Sequence, residues 1–222
     1  DLAMFAPGAY GSGPTATAMP AILNVLQELQ HEGVLAGLLD LQHIVIGGHS
    51  AGGRAAIESA SAQFFPQVAG AFGYGVHTAA VTQLGYEPGT ILPLPDNLPL
   101  LLMGGTQDGV IARSSFRYGV EWETPTTPVE RTFQEAIAGG RNDSYLLLLD
   151  GANHFSIAHP FDETTGRPFL DFSATQPEAQ IRALMAEAIG LFIEGQIGHN
   201  PEATTTLQQL ESHPLVVALQ WK

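Results

Sequence analysis

Ser50, Asp108 and His154 are the three side-chain types that together turn a hydroxyl into a nucleophile, and each follows an apolar run of the chain. A serine hydroxyl attacks a carbonyl when a base takes its proton, and an imidazole base needs a carboxylate to fix its tautomer and balance its charge. Ser50 is the centre of Gly48-His49-Ser50-Ala51-Gly52, a G-x-S-x-G pattern entered from Ile44-Val45-Ile46 and left through an alanine-rich stretch. That context predicts a tight strand-to-helix turn whose strained backbone lifts Oγ clear of the sheet. Gly48 and Gly52 are expected to let strand and helix approach, and the free N–H of Ala51 is the expected oxyanion donor. A glycine-rich turn with an incidental serine fits the same three fixed positions, so the flanking strand and helix carry the assignment.

The acid and the base come from the same logic. Asp108 lies just past the apolar Leu100-Leu101-Leu102-Met103 and its glycines. Taken alone, it reads equally as an aspartate capping the next helix. His154 follows Leu146 to Leu149 and the small-residue loop Asp150-Gly151-Ala152-Asn153. The order serine, acid, histidine, each after a strand, is the one a nucleophile elbow of this kind requires. Among the other histidines, His31, His43, His199 and His213 lie at element ends or in the tail, while His77 and His159 are pocket candidates. His154, His159 and Asp162 could instead share a metal, but their spacing matches no ligand signature, and no metal is expected.

The elements that must position these groups alternate. Ala18 to Gln30 reads as an amphipathic helix with Ala18, Ile22, Val25, Leu26 and Leu29 on one face, capped by Thr15 or Thr17. Leu2 to Ala6, Gln42 to Gly47, Val68 to Tyr74, Leu98 to Gly104 and Ser144 to Leu149 read as buried strands. Helices are expected over Ala51 to Phe64, Glu130 to Ile137, Gln180 to Ile193, with Ile181, Leu184, Met185, Ala188 and Leu191 inward, and Glu202 to Leu210. Apolar strands interleaved with helices predict an α/β class with a mostly parallel sheet covered on both faces. Residues 1–199 are expected to form the catalytic domain, 109–140 a lid or pocket insertion, and 200–222 a C-terminal extension packing on the domain or on another copy.

Composition narrows the partners. A chain of 222 residues, 45% hydrophobic and 14% charged, suits one folded domain with its own core. A net charge of −14 repels nucleic acid and favours neutral or cationic ligands. The sequence has no cysteine, so it offers neither thiolate chemistry nor a disulfide framework, and the compartment stays open. No apolar run is long enough for a membrane span, and no signal peptide is visible at Asp1-Leu2-Ala3-Met4.

The motifs Gly48-His49-Ser50-Ala51-Gly52, Gly104-Gly105-Thr106-Gln107-Asp108 and Gly151-Ala152-Asn153-His154-Phe155 together resemble the α/β-hydrolase superfamily. Within it they are similar to the dienelactone-hydrolase-like branch, which includes cutinase-like polyester hydrolases and chlorophyllases. The resemblance covers about residues 1–195 and implies cofactor-free ester hydrolysis by a Ser50-His154-Asp108 triad, on a small-molecule or polymeric ester. Acyl transfer or perhydrolysis on the same triad, and a catalytically silent binding protein of this fold, are its alternatives. Tyr10, His49, Trp122 and Phe155 are expected to shape the pocket, with Phe116 and Tyr118 beside Trp122 as an apolar wall.

The chain also departs from that pattern. Leu2 to Ala6 corresponds to a late strand, so the early strands of the sheet and the loop giving a second oxyanion N–H are expected to be missing. A preceding segment or a second chain would then complete the sheet. Alternatively, Leu2 to Ala6 is an earlier strand and Pro7 to Gly13 is the oxyanion loop, at the cost of a lost helix and strand.

Overall fold

The computed structural model describes residues 5–94, 98–164 and 166–222 and has an α/β fold built on a five-stranded, mostly parallel sheet. The strands are β1 (Ile44–His49), β2 (Val68–Tyr74), β3 (Leu100–Gln107), β4 (Tyr145–Asn153) and β5 (Val216–Trp221), adjacent in chain order. The first four are parallel and β5 is antiparallel to β4. The helices are α1 (Met19–His31), α2 (Ser50–Ser59), α3 (Gly109–Arg113), α4 (Thr127–Arg131), α5 (Glu178–Phe192) and α6 (Pro201–Gln209).

Alternation along β3 and β4 builds a core on each face of the sheet. Leu101, Met103, Tyr145, Leu147 and Leu149 meet Ile181, Leu184, Met185, Ala188 and Phe192 of α5 and Leu207 of α6 on one side. Leu100, Leu102, Leu146 and Leu148 meet Ala56 and Ile57 of α2 and Val129 and Phe133 of the α4 segment on the other. Strands covered on both faces carry apolar side chains at every position, which is why β3 and β4 read as continuous leucine runs.

Several expectations change in detail. The apolar face of α1 buries none of its residues, and Ile22 and Val25 stand about half exposed at 50% and 52%. Met19 and Leu23 touch the core from its margin. The helix is flanked by Ala18 with no side-chain cap, so neither Thr15 nor Thr17 serves. On α5 the fully buried Phe192 joins the expected inward residues, and Leu191 packs against that core half-buried. The helix after the elbow stops at Ser59, and α4 runs into a π-helical turn, Thr132–Ala136. The proposed first strand falls largely outside the described residues, and Phe5 and Ala6 lie in a turn and a bend. Among the described residues β1 has no partner on its outer edge. The tail supplies both α6 and β5, so residues 216–221 are a strand of the sheet itself.

Candidate active site

Parallel strands end on one edge of a sheet, and loops beyond their carboxyl ends converge there. Ser50 immediately follows β1, Asp108 follows β3 and His154 follows β4. Three residues far apart in sequence are thereby delivered to the same edge.

Ser50 has φ +54, a left-handed conformation that a side chain rarely adopts. The elbow is held by close packing of its two arms. A Cβ on Gly48 would lie 2.5 Å from the carbonyl carbon of Gly52, and one on Gly53 would lie 2.7 Å from the Gly48 oxygen. Gly52 itself faces open space, so Gly53 takes the close-contact role expected of Gly52. Ala51 is the first residue after Ser50 in α2, where an N–H has no intrahelical acceptor.

Asp108 makes both contacts that its sequence context allowed. Its Oδ1 accepts from the Ile111 N–H at 2.9 Å, capping α3, while its Oδ2 lies 2.8 Å from His154 Nδ1. Both side chains are about 2% exposed. With Nδ1–H donating to the carboxylate, the lone pair of the neutral ring is left on Nε2, the atom a general base uses. The glycine at Gly75, φ +59, leaves room for the pair: a Cβ there would be 2.9 Å from His154 Nδ1 and 3.1 Å from Asp108 Oδ2. Gly75 and Ser50 border the same cavity. Among the described residues Ser50 Oγ forms no hydrogen bond, to His154 or to any other group. The link between them is packing: the His49 ring, one residue before Ser50, is centred 4.5 Å from the His154 ring. Burial, then the neighbouring His154, pushes the His49 pKa down to about 4, so this ring stays neutral.

The cavity beside Ser50 and Ala51 measures about 320 Å³. Its walls are largely apolar, from Val76, Val81, Leu84, Leu92, Ile111 and Tyr118, with Arg54, Arg117, His77 and Ser114 among its polar members. Arg54 is fixed by Glu58 at 2.8 Å and by the Ala79 carbonyl at 2.8 Å. His77 Nδ1 accepts from the Ala79 N–H at 3.2 Å, and burial, then Arg54 and Arg117, lowers its pKa to about 3.

The four expected pocket residues sit around this cavity rather than among the residues bordering it. Tyr10 donates to Glu58 of α2, and burial followed by that carboxylate raises its pKa. His49 and Phe155 pack on the His154 ring, at 4.5 and 5.3 Å between centroids. Trp122 stands behind His77 and Tyr118 with its indole N–H unpartnered. Segment 109–140 nonetheless forms cavity wall through Val110, Ile111, Ser114, Arg117 and Tyr118. Phe116 points outward at 74% exposure.

Three contributors escaped the sequence reading. Tyr74 donates its hydroxyl to the Asn153 carbonyl, just ahead of His154. Asn153 folds the loop that carries His154, accepting from the Phe155 N–H and the Ser156 hydroxyl. Asp171 accepts from the backbone N–H groups of Gly109 and Phe155. Only Asn153 carried a signal, as an Asx-turn former next to the histidine. Among the described residues no three histidine, aspartate or glutamate side chains converge as a metal site, and His159 and Asp162 lie exposed on the loop after His154. No helix among them is long and apolar enough to cross a membrane. No family model matches the chain, and no curated protein matches it significantly.

Proposed function

We propose that the protein is a serine hydrolase of carboxylic esters with the α/β-hydrolase fold. The observation that carries this reading is the buried Asp108–His154 contact of 2.8 Å, at the sheet edge where Ser50 stands on a left-handed turn. The order of the three along the chain, and their places after β1, β3 and β4, are also what that fold requires.

His154 Nε2 takes the Ser50 proton as Oγ attacks the ester carbonyl. Asp108 then holds an imidazolium rather than a neutral ring, and the Ala51 N–H faces the developing oxyanion. Protonation of the leaving alcohol by His154 gives an acyl-Ser50 ester. Water, deprotonated by the same imidazole, releases the acid. The apolar cavity receives one arm of the ester, as apolar walls with a few polar groups suit an uncharged acyl or alcohol chain.

A second reading, a catalytically silent member of this fold, draws on one observation: Ser50 Oγ and His154 are not hydrogen-bonded. Such bonds often tighten only when substrate binds. A series of p-nitrophenyl esters of increasing acyl length separates the two. We expect hydrolysis with a preference set by chain length, and a loss of about 10⁴-fold in kcat in Ser50→Ala. Equal turnover by wild type and S50A would overturn the assignment, and none by either would favour the silent reading. Adding a competing alcohol or peroxide and analysing the products tells hydrolysis from acyl transfer or perhydrolysis.

A further inference from the structure

We propose that Asp171 is a positioning residue for the acid–base pair, with one carboxylate fixing the backbone that follows each partner. Its Oδ1 accepts from the N–H of Gly109, directly after Asp108, at 2.8 Å, and from its own neighbour Phe172 at 3.0 Å. Its Oδ2 accepts from the N–H of Phe155, directly after His154, at 3.3 Å. Asp108 and His154 sit on loops leaving two different strands, and the separation of those loops sets the 2.8 Å contact between the side chains. Asp171 ties the two segments together at the residues directly after Asp108 and His154.

The rest of its segment reinforces the tie. The Phe172 carbonyl accepts from Asn153 Nδ2 at 2.8 Å, and the Thr175 N–H donates to the Gly151 carbonyl at 3.0 Å. Gly109 must lack a side chain for this contact, because a Cβ there would lie 2.4 Å from the Phe172 nitrogen. Three N–H donors converge on a half-buried carboxylate, and hydrogen bonds to a charged acceptor are the strong kind. Asp171 does not border the cavity, so it acts through Asp108 and His154 rather than on substrate.

The kinetic consequence rests on the hydrolase reading, and the structural one does not. In Asp171→Ala we expect kcat to fall between about tenfold and about 100-fold, the penalty of slightly misplaced catalytic groups, with KM within about twofold. Asp171→Asn keeps one accepting oxygen and should fall in between. The second readout is the low-field proton resonance of His154 Nδ1–H, recorded without substrate at a pH where the ring is protonated. It should shift upfield or broaden in D171A, and less so in D171N. Wild-type kcat and an unchanged resonance in a folded D171A, or a lowered Tm alone, would overturn the proposal. If D171A fails to fold, the same two measurements on D171N decide it. A wild type that hydrolyses no ester would sink the hydrolase reading, while the resonance still tests Asp171.

Discussion

At the level of single residues, the site depends on keeping charge in some places and out of others. Asp108 accepts from His154, whereas His49 and His77 flank the site as neutral rings. Their pKa values, about 4 and about 3, lie below the ordinary value of about 6.5. The unfolded chain therefore binds protons that the folded one refuses. Stability should be fully present above about pH 6.5 and fall as the pH drops towards 4, by at most about 2.7 kcal/mol per pH unit for the two rings. His77→Asn retains an acceptor for the Ala79 N–H and removes the titration. The pH slope of unfolding free energy between about pH 6 and pH 4.5 should drop by about 1 kcal/mol per unit in this variant. An unchanged slope would show that His77 is not held neutral.

Among the elements, the elbow is the most demanding. Strand β1 and helix α2 touch through bare backbone at Gly48 and Gly53, with no flexible side chain able to give way. Gly48→Ala should cost about 3 kcal/mol of stability in urea unfolding, since overpacking against rigid backbone cannot relax cheaply. Gly52→Ala meets nothing within 4 Å and should instead stabilise by about 0.5 kcal/mol, because alanine is the better helix former. Equal effects at the two positions would contradict this account of the turn.

The elements also mark where the sequence stopped being readable. Ser50, Asp108 and His154 were legible because each follows an apolar strand, and strand ends determine position in a parallel sheet. Asp171 was not, since it sits in an irregular loop and its partners are backbone N–H groups that any residue supplies. The apolar stripe of α1 predicted burial from period alone. Burial depends on what lies opposite, and beyond β1 no further strand is found among the described residues. Leu215 to Leu219 is an apolar run in the sequence, but nothing local to it reveals that residues 216–221 pair antiparallel with β4.

For the whole molecule, the claim is that a five-stranded sheet assembles a competent nucleophile from three distant loops. Competence is a property of the assembly, since neither the elbow nor the Asp108–His154 pair would activate a serine alone. The most direct test is reaction of the purified protein with a fluorophosphonate probe, followed by peptide mapping. We predict one phosphonylated peptide, modified at Ser50, with labelling abolished in Ser50→Ala and strongly slowed in Asp108→Asn. A protein that takes up no probe, or takes it up elsewhere with Ser50 unmodified, would contradict the account.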